Sequence, residues 1–170
     1  MMGRVSGCLV LAVVLLLASG SEAAAQRKGF IIGGGLGPGL TFGDPETKFG
    51  GTTDFKIGAM VGQSLQVYYR NTVNFTNSSA GYDLEGAGVG GLGVTYQVSG
   101  RYRVNGVVGL ATRMGILGGD WNTDTGFGIG AGVGYEFADL WVINLDGSWG
   151  RPGGDYNLMN VALTINILSH

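Results

Sequence analysis

Phe127 to Phe137 reads FGIGAGVGYEF and alternates at every step. Phe127, Ile129, Ala131, Val133, Tyr135 and Phe137 share one face, and Gly128, Gly130, Gly132, Gly134 and Glu136 share the other. A strand sends successive side chains to opposite faces, whereas a helix would scatter both sets around its circumference, so the pattern predicts a strand. The same period of two recurs eight times. Strand one, about 28–42, sets Phe30, Ile32, Leu36, Leu40 and Phe42 against Gly33, Gly35, Gly37 and Gly39. The others are predicted near 52–61, 64–74, 82–98, 102–116, 127–137, 140–149 and 157–168. The fourth loses phase at Gly86 to Gly90, where Ala87 and Val89 fall among the polar positions, and a bulge or kink is expected there.

The connections alternate in length. Gly62-Gln63-Ser64, Ser99-Gly100-Arg101 and Ala138-Asp139-Leu140 are tight turns, and longer polar loops lie near 43–51, 75–81, 117–125 and 150–156. An even number of antiparallel strands with short turns at one end and longer loops at the other predicts an all-β, eight-stranded antiparallel up-and-down transmembrane β-barrel.

Alternation alone does not say which face points outward. The more polar face carries Lys56, Arg70, Asp83, Glu85, Arg103, Arg113, Glu136 and Asp146, and the opposite face is almost free of charge. Aromatic residues decide the question. Phe30, Tyr96, Tyr102, Tyr135, Phe137 and Trp141 fall near the tight turns, and Phe42, Phe55, Phe75, Tyr82, Phe127, Trp149 and Tyr156 near the long loops. Two such rows match the interfacial girdles of a membrane barrel, and a soluble core has no reason to make them. Phe127 to Phe137 spans roughly 33 Å of strand, or about 25 Å after a tilt near 40°, the height of the apolar band. In lipid every backbone polar group needs a partner, so the strands must close on themselves.

The first residues fix the route. Arg4 precedes the apolar run LVLAVVLLLA from Leu9 to Ala18, and Ala23 and Ala25 form an A-x-A site before Gln26. Residues 1–25 are therefore expected to be a cleaved signal peptide, and 26–170 the barrel domain. Val5 to Cys8 resembles a lipobox but stands before the apolar run, where it has no role. Cys8 is the one cysteine, so the barrel domain is expected to hold neither a disulfide nor a thiolate metal site.

Removing Arg4 and Glu22 from 10 basic and 12 acidic residues leaves 9 and 11, a net charge of −2, which gives no footprint for nucleic acid. Glycine stands out at 35 of 170 residues, against a usual share of roughly 7%. Two functions suit it equally: bare inward positions leave room for long side chains from other strands, and glycine permits sharp strand coiling. The run Gly33-Gly34-Gly35-Leu36-Gly37 is not a phosphate loop, because no helix or Lys-Ser/Thr pair follows it.

Inward charge must be paired, so Lys56, Arg70, Glu85, Arg103, Arg113, Glu136 and Asp146 form the candidate lumen network. Hairpin pairing puts Glu85 near Arg113, and Arg103 near Glu136 at the other end. A network that plugs the barrel is favoured over a narrow ion path. His170, the single histidine, is terminal, which weakens metal sites and Ser-His hydrolysis together; no catalytic, metal or cofactor site is expected. Trp121 stands between Asp120 and Asp124 in a long loop and is the candidate surface contact.

A leader, eight amphipathic strands and two aromatic rows resemble the small OmpA/OmpX-type outer-membrane β-barrel proteins across the whole barrel domain. The resemblance implies outer-membrane lipid and lipopolysaccharide as surroundings, with loops available to a surface partner. It implies a non-enzymatic function in membrane integrity or adhesion, with a narrow pore for small or apolar solutes, or a lipid-modifying barrel enzyme, as alternatives. Members commonly finish on an aromatic residue, and here the sequence reads Ile167-Leu168-Ser169-His170.

Overall fold

The computed structural model describes residues 29–43, 46–77, 84–115, 123–153 and 156–169. Eight strands follow in order: β1 Phe30–Phe42, β2 Thr47–Val61, β3 Leu65–Asn77, β4 Leu84–Ser99, β5 Tyr102–Gly115, β6 Thr123–Ala138, β7 Trp141–Gly150 and β8 Leu158–Ser169. Each pairs antiparallel with the next, and β8 closes on β1, giving a closed up-and-down barrel. The predicted signal peptide, the whole of 1–25, lies outside the described residues.

The register fixes the barrel's dimensions. A walk across the ladders from Ile32 passes Ile57, Tyr69, Leu92, Val108, Ile129, Trp149 and Met159 and returns to β1 at Phe42, ten residues along. With strands about 4.8 Å apart and about 3.3 Å per residue, that stagger sets a tilt of about 41° and a backbone radius of about 8 Å. The walk also climbs about 25 Å along the axis, from the tight-turn end to the long-loop end.

Outward residues are apolar and inward ones polar or bare. Leu36, Leu110, Val133, Leu145 and Leu163 are exposed, whereas Asp54, Lys56, Arg70, Asn105, Asn144 and Asp146 are buried in the lumen. This inverts a soluble protein and matches a barrel solvated by lipid. Phe30, Tyr96, Tyr102, Tyr135, Phe137 and Trp141 ring the turn end, with Tyr102 and Tyr135 centroids 5.2 Å apart.

Three expectations change. The fourth strand has no bulge at Gly86–Gly90: its ladder to β3 runs unbroken from Leu84 to Tyr96, and its register to β5 shifts only between Gln97 and Ser99, beside the tight turn. Ala87 and Val89 keep phase and point inward, where Val89 packs with Val107 and Ala111 in a buried apolar patch. The lumen wall is thus partly apolar, which a rule of polar-inside positions misreads as a break. Next, β2 starts at Thr47 instead of near 52 and β6 at Thr123 instead of 127, because the ladder continues where both faces meet water and apolar alternation has ceased. Last, and for that reason, Phe55 is not at the loop end. It pairs with Gly34 and Asn71 in mid-barrel, and the exposed Phe49 takes the loop-end place.

Candidate functional site

Arg70 rises from β3, and a radius of about 8 Å lets its guanidinium reach the barrel axis. There it meets carboxylates from two directions. Nε and Nη2 donate to Asp54 Oδ1 and Oδ2 at 2.8 and 3.1 Å. Nη1 and Nη2 donate to Asp146 Oδ1 and Oδ2 at 3.0 and 2.6 Å. A further Nη1 bond reaches Asn105 Oδ1 at 2.8 Å. The group has five N–H donors, and five bonds satisfy them in paired, planar geometry. In a ring of eight, β7 stands opposite β3, so the Arg70–Asp146 contact spans the lumen.

Asp54 gathers more partners. Lys56 Nζ lies 3.3 Å from Oδ2, and the Thr72 hydroxyl donates to Oδ1 at 3.0 Å. Lys56 also sits 5.7 Å over the Tyr68 ring, whose hydroxyl is 2.7 Å from Thr95 Oγ1. Arg70, Lys56, Asp54 and Asp146 balance to zero charge, as a group withdrawn from water requires.

Two more clusters lie toward the ends. Arg103 Nη2 donates to Glu136 at the turn end, while its Nε and Nη1 have no partner among the described residues. Beside them Ile31, Val142 and Leu168, from the neighbouring strands β1, β7 and β8, form a buried apolar cluster, with Met60 against it. At the loop end Glu85 accepts from Lys48 at 3.1 Å and stands 3.5 Å from Arg113, whose guanidinium lies 4.7 Å over the Tyr156 ring.

The glycines make room in both ways. A Cβ on Gly132 would overlap the Asp146 carboxylate, and one on Gly35 would overlap the Asn166 amide, so bare positions hold the space that other strands' side chains occupy. Gly91 and Gly109 instead face each other so closely that a Cβ on either would strike the opposite backbone, which is the demand of coiling. Above Arg70 remains a cavity of about 20 Å³ between Val89 and Val107 on one side and Asn74, Ser148 and Asn160 on the other. Such a space holds roughly one water.

All seven charged residues singled out in the sequence face the lumen, in three separate groups. Sequence reasoning passed over Asp54, Asn105 and Lys48. Asp54 carried a usable signal, as an inward carboxylate two residues from Lys56. Asn105 reads as an ordinary inward polar residue, and Lys48 falls in the predicted loop. Trp121 and His170 lie outside the described residues, and among the described residues no cluster of His, Cys, Asp and Glu could hold a metal ion.

The fold is found among solved structures. Neisserial surface protein A aligns with a TM-score of 0.57 and 12% identity over 81% of this chain and 96% of that one. The attachment invasion locus protein Ail of Yersinia pestis aligns with a TM-score of 0.59 and 11% identity over 85% and 100%. OprG of Pseudomonas aeruginosa, an outer membrane protein, aligns with a TM-score of 0.53 and 10% identity over 85% and 98%. At these identities the likeness concerns the fold. A search of curated protein sequences gives no match. The profile of the outer membrane protein beta-barrel domain matches residues 9–164. Strand order, outward apolar face, inward charge and sequence profile agree: the chain belongs to the outer membrane protein beta-barrel family, and its place is the bacterial outer membrane.

Proposed function

We propose that the protein is a non-enzymatic outer-membrane barrel with a structural and surface-directed function, in membrane integrity or adhesion, and that its lumen is not a passage. The observation that carries this reading is the Arg70 clamp. It joins opposite walls at mid-lumen, and the cavity above it among the described residues has space for about one water. In this reading the apolar cluster of Ile31, Val142 and Leu168 below it acts as a plug, a second seal of different chemistry. With the interior closed, the loops are what the protein presents to its surroundings, and Trp121 is the contact residue proposed within them. Ail, named for attachment and invasion, has been solved with the heparin analogue sucrose octasulfate, and that supports a surface function on this kind of scaffold.

Single-channel recording of the purified protein in planar bilayers tests the reading. No discrete steady openings are expected. Regular openings of uniform size would overturn it and favour a narrow pore. Loss of adhesion or of detergent resistance in cells lacking the protein distinguishes the two surface-directed functions, and a changed lipid A profile would show an enzyme instead.

A further inference from the structure

We propose that the outer wall made by β3, β4 and β5 is a contact between two copies of this chain within the membrane, centred on Asn71. Asn71 is exposed on the outward face of β3, two residues loopward of Tyr69. On the barrel's geometry it stands about 11 Å above the level of Ile32, midway between the two aromatic rows. A carboxamide, with two donors and one acceptor, therefore lies on the barrel wall at the depth of the hydrocarbon centre. An acyl chain offers it no hydrogen bond, and polar groups in that position mark contacts or pathways.

The wall beside it is shaped to receive something. Gly88 and Gly90 occupy outward positions of β4, so the sheet is bare there between the side chains of β3 and β5. The result is a groove of about 360 Å³ whose lining includes Tyr69, Asn71, Leu92 and Leu110. That volume falls within the range of about 300–1,000 Å³ of specific binding sites. The Tyr69 hydroxyl and Asn71 Oδ1 lie 3.1 and 3.3 Å from where a Cβ would stand on Gly90, so two polar groups overhang one bare strand.

A second copy meets these demands together. A carboxamide is self-complementary: across a two-fold axis each Asn71 donates to the other's oxygen and accepts in return. Closed two-fold pairs are the commonest homo-oligomers and use one patch on both partners. Small residues let membrane-embedded backbones approach, and polar side chains hold them. The surface is part of the lipid-facing band that the fold already commits to the membrane.

The test uses the protein in native outer membranes, where the expected cleavage after Ala25 removes Cys8, the one native cysteine, so that an introduced cysteine reports only its own position. Val73→Cys lies outward on β3, two residues from Asn71, and Leu163→Cys lies outward on β8, on the opposite wall at nearly the same height. A bis-maleimide is expected to link Val73→Cys into dimers and to leave Leu163→Cys monomeric. Adding Asn71→Leu to Val73→Cys is expected to lower the association constant roughly tenfold, the order expected from two lost hydrogen bonds within a membrane. The heat-dependent gel shift checks that each variant is folded. Linkage no greater at Val73→Cys than at Leu163→Cys overturns the proposal, as does linkage unaffected by Asn71→Leu. A monomer carrying a tightly bound lipid in the groove overturns it as well.

Discussion

Replacing Arg70 with methionine keeps most of the side chain's volume and removes all five hydrogen bonds to Asp54, Asp146 and Asn105. The carboxylates are 0% and 9% exposed, so neither finds water in exchange. Lys56 stays 3.3 Å from Asp54, and the group passes from neutral to one net negative charge, concentrated at Asp146. Breaking a buried pair from one side costs about 3–5 kcal/mol. Arg70→Met with Asp146→Leu restores neutrality and leaves the Lys56–Asp54 pair. The double variant should recover about 2–3 kcal/mol relative to the sum of the two single changes. Urea unfolding in lipid vesicles, followed by tryptophan fluorescence and checked by the mobility of unboiled samples, measures each corner of the cycle. A cost below about 1 kcal/mol for Arg70→Met, or strict additivity in the double variant, would refute the argument that charge balance holds the lumen together.

Leu145 faces outward at mid-height, beside inward Asp146, so Leu145→Arg should cost about 2–4 kcal/mol in the same unfolding assay, and a negligible cost would mean that this face is not in hydrocarbon. Gly132→Ala puts a methyl group against the Asp146 carboxylate and should destabilise by about 1–3 kcal/mol. Gly147→Ala, outward with nothing closer than 4.0 Å, should be neutral or stabilising by about 0.5–1 kcal/mol, and a reversed order would sink the account of the inward glycines. Because the two lumen seals act in series, Arg70→Ala alone should stay closed in planar bilayers, and Arg70→Ala with Leu168→Ala should conduct; openings from the single variant would show the plug to be leaky.

The strands were legible because a wall with lipid on one side and packed polar groups on the other imposes strict alternation, as Phe127–Phe137 shows. The end clusters follow from hairpin arithmetic: Arg103 and Glu136 flank the turn ends of adjacent strands, and Glu85 and Arg113 the loop ends. The centre does not follow from it. Which inward residue meets Arg70 across the lumen depends on closure and on the ten-residue stagger, and no adjacent pairing contains either. So Asp146 could be named as inward but not as Arg70's partner. Strand ends were misjudged at Thr47 and Thr123 for a different reason: hydrogen bonding continues beyond the membrane, whereas the hydrophobic signal stops at its surface.

The clamp also bears on time. Arg70 and Asp146 are 76 residues apart in sequence and on facing walls, so they cannot meet until β8 has docked on β1. Bonds of this kind form after most of the loop-closure entropy has been lost, and they contribute little to the rate of folding. Interactions absent from the transition state act on the reverse step, so breaking the clamp should shorten the lifetime of the inserted barrel far more than it delays insertion. A lumen filled in this way works as a latch that holds the barrel shut once it has closed.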